Sequence, residues 1–139
     1  MSCNIDVRFI PAKHWWLRPK WQLLAEYISA DEQTIVPMGF ITDGASVPGF
    51  FKMIFAATGQ YFGAAIIHDY LLAPINGVTP DSLQWKKANN AFKRELLALN
   101  IIPWRVWALY NAVNIWGHVK VTIVNPIIKF FKNLCKSTG

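Results

Sequence analysis

Apolar and polar positions divide the chain into an alternating N-terminal third and a helical remainder. Ile5, Val7 and Phe9 alternate with Asp6 and Arg8, so Asn4–Ile10 predicts a strand. Across Lys20–Ile28, Trp21, Leu23, Ala25 and Tyr27 alternate with Gln22 and Glu26. The turn-like Ser29-Ala30-Asp31-Glu32 then leads to Thr34–Val36, which predicts a hairpin. From Pro37 the alternation stops. Gly39, Gly44, Pro48 and Gly49 punctuate a tight loop, with a short helix expected after Pro48.

Beyond the loop the period becomes helical. Tyr61–Leu72 is apolar almost all round, which predicts a central buried helix. Thr79-Pro80-Asp81 offers a capping hydroxyl, a proline for the first position and an acid for the first turn. The helix it opens should reach about Asn100, with Trp85, Ala88, Phe92, Leu96 and Leu99 on one face. Pro103 opens another, to about Lys120, with Val106, Leu109, Val113 and Trp116 in a stripe. Placed on a helix, Pro126–Lys136 is amphipathic. The expected class is α+β: a small antiparallel sheet followed by three main helices and an amphipathic C-terminal helix. No internal repeat or long linker interrupts residues 1–139, so one domain is expected. It comprises strands at 1–38, a Gly/Pro loop with a short helix at 39–59, a helical core at 60–120 and a basic amphipathic tail at 121–139.

Composition adds a constraint on partners. Hydrophobic residues make up 53% of the 139, which excludes a disordered or low-complexity chain. Charged residues are only 16%, against about 25% in ordinary soluble domains, while aromatics reach 14%. A core this small cannot hide so much apolar surface. A partner chain, a membrane surface or a larger assembly is expected to cover the excess.

The net charge of +6 is unevenly spread. Residues 1–95 carry nine basic and eight acidic side chains, whereas residues 96–139 carry five basic ones and no acid. That asymmetry points to an anionic partner for the C-terminal third, but is too sparse for a nucleic-acid tract. The N-terminus lacks the regions of a signal peptide. The longest uncharged run, Met53–His68, falls short of the ~20 apolar residues of a bilayer span. Cys3 and Cys135 make neither a disulfide framework nor a zinc spacing, so reduced thiols are expected.

Candidate chemistry lies between Gly39 and Tyr70. Thr42, Asp43 and Ser46 sit in the tight loop, and His68-Asp69 interrupts the most apolar helix. Adjacent helix positions are about 100° apart, so His68 and Asp69 cannot face each other and need separate partners. An unpaired buried carboxylate is costly, and Thr42–Ser46 is the nearest unassigned polar supply.

The run Val36-Pro37-Met38-Gly39-Phe40-Ile41-Thr42-Asp43-Gly44-Ala45-Ser46-Val47-Pro48, followed by Ala64-Ala65-Ile66-Ile67-His68-Asp69-Tyr70-Leu71, resembles the phage-associated family called domain of unknown function 1353. The likeness extends to Ala88-Asn89-Asn90-Ala91-Phe92 and Tyr110-Asn111-Ala112-Val113, covering roughly residues 20–118. It implies genes of tailed bacteriophages and prophages, often among virion genes, and no settled activity. Three positions depart from the family pattern: Gly49 where an Arg is usual, Leu72 and Ala73 where a Tyr is common, and Asn89 where an Asp is common. The lost charges count against catalysis.

Three functional expectations result. The first is a virion-associated structural or accessory protein, in the head or tail, bound to other virion proteins as a homo- or hetero-oligomer in the virion or host cytoplasm. In it Thr42, Asp43, Ser46, His68 and Asp69 form a structural polar knot, no cofactor is needed, and Trp15, Trp16, Trp104 and Trp107 are either interface anchors or core. The second is a small hydrolase acting on lipid or cell-wall material. Asp43, His68 and Asp69 would then hold a divalent cation, calcium or zinc, or His68 would act as general base. The third is a peripheral membrane protein whose C-terminal helix carries Lys129, Lys132 and Lys136 beside an apolar stripe of Ile127, Phe130, Phe131 and Leu134. Asn111, Asn114 and His118 share one face of the preceding helix and are read as solvated.

Overall fold

A computed structural model of the chain describes residues 5–14, 19–42, 61–75 and 77–137. β1 (Val7–Ile10) and β2 (Lys20–Leu23) pair antiparallel, with Val7 opposite Leu23 and Phe9 opposite Trp21. The strand from Lys20 does not reach Ile28 as the alternation predicts. The chain bends at Leu24–Glu26 and re-forms as β3 (Tyr27–Ile28), which pairs antiparallel with β4 (Ile35–Val36) in a separate ribbon. Leu23 and Tyr27 are both buried and four residues apart, so the alternation runs on across a backbone break, while Ala25, in the same phase, is exposed. β5 (Ile41–Thr42) completes a three-stranded sheet of order β1-β2-β5, with Trp21 opposite Thr42. Strand structure therefore extends past residue 38.

The connection from β3 to β4 is a polar turn. Thr34 N–H donates to the Ser29 hydroxyl, which in turn donates to Asp31 Oδ1 at 2.6 Å. The Ser29 hydroxyl first, then the Gln33 amide and the Arg94 guanidinium, hold the Asp31 carboxyl below its ordinary pKa against the opposing effect of burial. Arg94 reaches Asp31 at 2.8 Å on an exposed surface, where such a pair adds little stability.

α1 (Phe62–Leu71) is the central helix, with Ala64, Ile66 and Ile67 fully buried. Ile66 and Ile67 pack with Leu23, Tyr27 and Val36 from the strands and Ala91 from α2 (Ser82–Ala98), so α1 lies between sheet and helix. The N-cap of α2 is Asp81, not Thr79: Asp81 is extended and accepts from the Gln84 N–H at 2.7 Å. A carboxylate there satisfies an otherwise orphan amide and sits favourably at the positive end of the helix. The helix stops in a Schellman turn. Asn100 has φ +55° and donates to the Leu97 carbonyl, while Ile101 N–H reaches back to Leu96 and its side chain joins the core.

Pro103 sits at the first turn of α3 (Pro103–Val119), whose Val106, Leu109 and Val113 pack with Phe92 and Leu96. The helix does not end near Lys120. It passes through a π turn at Lys120–Val124 into α4 (Asn125–Ser137), so the expected separate tail continues α3. Asn125 N–H bonds to the Lys120 carbonyl, one residue further back than in an α-helix. Pro126 has no N–H to give and its ring would crowd the carbonyl four residues earlier; the wider turn before it accommodates both. The whole is α+β: a small antiparallel sheet followed by helices.

Candidate functional site

The His-Asp step sends its two side chains to different elements. Asp69 leaves the sheet-facing side of α1 and accepts a hydrogen bond from the buried Thr42 hydroxyl at the end of β5. This contact fixes the start of the Gly/Pro loop against the central helix. Phe40 and Tyr70 meet edge-to-face beside it, with ring centroids 5.3 Å apart. Asp43 and Ser46, the other loop residues proposed for this site, lie outside the described residues.

His68 turns the other way, toward α2. Its Nε2 is 2.8 Å from Asn89 Oδ1, and Asn89 Nδ2 donates at 2.8 Å to Asn114 Oδ1 on α3. With the Asn89 amide oriented by Asn114, its oxygen faces the imidazole, which makes Nε2 the nitrogen that carries the hydrogen in the neutral ring. The ring is 4% exposed and lies between Phe92 and Trp85, at 5.4 and 5.8 Å between centroids. Burial pushes its pKa down to about 4, an effect the Asn89 hydrogen bond only partly opposes. His68 is therefore neutral at neutral pH. Together, His68, Asn89 and Asn114 join three helices through one polar chain.

Asn114 thus faces α2 instead of forming a solvated strip with its neighbours. Asn111 donates to its own helix, at the Trp107 carbonyl 2.8 Å away, and His118 is exposed. The three residues share a helical phase but not an environment.

A further interior carboxylate escaped the sequence reading. Glu95 is buried on α2, where Oε1 accepts from the Tyr27 hydroxyl at 2.5 Å and Oε2 from the Ala30 N–H at 2.8 Å. It pins the β3–β4 ribbon to the helix bundle. Gly63 is part of the same junction, because a Cβ at that position would run into the Tyr27 hydroxyl. The signal was present: Glu95 lies three residues after Phe92 and seven after Ala88, on the apolar stripe of its helix. A charged residue in such a stripe must find interior partners.

This arrangement uses its polar atoms within the fold. Among the described residues, no three His, Cys, Asp or Glu side chains come together. A general base must reach the proton it removes, and His68 is enclosed by aromatic rings with one nitrogen committed to Asn89. The side chains Lys129, Phe130, Phe131, Lys132 and Lys136 stand elsewhere, all exposed on α4. Trp104 and Trp107 are likewise exposed, on the first turns of α3, while Trp15 and Trp16 lie outside the described residues.

No curated protein and no solved structure matches the chain significantly. A family model matches residues 21–113, about two thirds of the chain, from β2 to the middle of α3. That stretch contains Thr42, His68, Asp69, Asn89 and Glu95, and stops short of the π turn and α4. The chain belongs to the family described as Protein of unknown function (DUF1353).

Proposed function

We propose that this protein works by binding and not by turnover, as a structural or accessory component of a larger assembly. The virion of a tailed bacteriophage or prophage is the setting its family resemblance implies. One observation carries the proposal: Trp104 and Trp107 are 64% and 70% exposed on α3, and Ile115 is exposed on the same side of that helix. At 3.6 residues per turn these three positions fall within about 80° of arc. The Arg105 guanidinium lies 5.4 Å from the Trp104 ring centroid. Trp and Arg are the residues that most often dominate protein–protein interfaces, and an uncovered apolar helix face is a liability for an isolated domain. The competing role, a hydrolase using Asp43, His68 and Asp69, has less support because His68 is interior, is hydrogen-bonded to Asn89, and is made a weak base by burial, which lowers its pKa to about 4.

Light scattering with mass determination, on the chain alone and mixed with virion components, tests the proposal. The expected result is a mass above that of one chain in at least one of these conditions. Trp104→Ser with Trp107→Ser should return it to monomer without changing the melting temperature. A monomer under all conditions, together with hydrolysis that disappears in His68→Ala, would contradict it.

A further inference from the structure

The apolar excess is not confined to α3. Every side chain from Pro126 to Lys136 is exposed, with Phe130 and Phe131 at 62% and 60%. α4 therefore extends beyond the core as an arm. Around the helix, Phe130, Leu134, Ile127, Phe131, Cys135 and Ile128 occupy an arc of about 160° at the ordinary helical period. Lys132, Lys136 and Lys129 cluster within about 60° on the flank next to Ile128, and the remaining arc holds Asn133 and Pro126.

We infer that α4 is an in-plane anchor for an anionic lipid surface. The inference rests on the binding role proposed above and names what this arm binds. Charge decides the occupant. The chain has no acidic residue after Glu95, so pairing two copies of the arm would bring lysines together with no carboxylate on either segment to offset them. An anionic headgroup layer complements all three lysines at once. The alkyl stems of the lysines can lie along the apolar arc while their ammonium groups reach the phosphates. An apolar arc this broad suits a lipid boundary better than the narrow stripe that a protein groove reads.

Length fixes the orientation. Thirteen residues make a helix about 20 Å long, too short for the ~30 Å hydrocarbon core, so the arm would lie along the surface. No helix among the described residues is long and apolar enough to cross a membrane. A second apolar element adjoins the arm. Thr79 lines a groove with Ile128, Phe131 and Cys135, and it follows a tight turn whose Ile75 and Val78 are exposed. The arm also lies outside the stretch that the family shares.

Flotation of the full chain with vesicles tests this directly. Binding is expected to mixed phosphatidylglycerol–phosphatidylcholine vesicles, and much more weakly to phosphatidylcholine alone. Replacing all three of Lys129, Lys132 and Lys136 by Gln should weaken binding about 100-fold, and raised salt should act in the same direction. Phe130→Ser with Phe131→Ser should abolish it. Both variants should keep the wild-type melting temperature, because the altered side chains are exposed. Failure of the wild type to float, or flotation that survives both variants, would overturn the inference. If wild type ignores vesicles while Phe130→Ser with Phe131→Ser lowers its solution mass, the arm is a protein interface: the lipid assignment then fails and the binding role stands. If wild type floats through α4 but hydrolyses a substrate in a His68-dependent way, the binding role fails and the lipid assignment stands.

Discussion

At the scale of single residues, His68 links the interior to pH. Its imidazole titrates at about 4 in the fold, because burial disfavours the charged ring, against an ordinary value of 6.5. Between these values the unfolded chain binds a proton that the folded chain does not, so stability rises with pH across the window and is lost on acidification. The contribution lost between pH 7 and pH 4 is about 3 kcal/mol. Urea denaturation over that range should show the loss, and a flat profile would contradict the buried, neutral ring. Glu95→Ala removes the acceptor for the Tyr27 hydroxyl and the Ala30 amide. It should cost about 1–3 kcal/mol in the same measurement, since the Tyr27 hydroxyl would lose this acceptor in the interior, while the Ala30 amide belongs to an exposed residue. A cost below about 1 kcal/mol would mean that water replaces the carboxylate.

These residues differ in how well the chain announces them. Asp69 and His68 stand out because charge interrupts an apolar run, and their divergence follows from helical geometry alone. Glu95 carries the same kind of signal within a more mixed helix. The His68–Asn89–Asn114 chain does not, because which helices meet, and at what height, is a tertiary fact that no local period encodes.

At the scale of elements, close approach of helices depends on a missing side chain. A Cβ on Gly117 of α3 would fall 2.6 Å from the Trp85 ring, which is buried and cannot swing aside freely. Gly117→Ala should therefore destabilise by about 1–3 kcal/mol, although alanine is favoured over glycine inside an exposed helix by about 1 kcal/mol. Thermal melts decide the sign, and a higher melting temperature would contradict the packing described here. The apolar stripes of α2 and α3 are legible in the chain because burial and helical period coincide. Two junctions are not. The bend at Leu24–Glu26 preserves the strand phase on either side, and Pro126 reads as a helix start although a π turn carries the helix into it. In both cases side-chain pattern persists where backbone geometry changes.

At the scale of the whole molecule, polar and apolar groups divide the work. The buried polar groups Thr42, His68, Asn89 and Glu95 bond to other parts of the fold, whereas Trp104, Trp107, Phe130 and Phe131 remain exposed. The excess of apolar residues seen in the composition is thus borne by helix surfaces and by strand and turn positions such as Phe9, Met38, Ile75 and Val78. From residue 96 onward it is accompanied by basic side chains and no acids. On the function proposed above, binding belongs to the outside, and His68 and Asp69, which most resemble an active site, serve as scaffolding. The most direct test follows the His68 imidazole by NMR in the intact protein, through a pH titration and on addition of calcium or zinc. The account predicts one neutral tautomer with the hydrogen on Nε2, no titration above about pH 5, and resonances unmoved by either cation. A midpoint near 6.5–7, or shifts on adding a cation, would place His68 in a working site and contradict it.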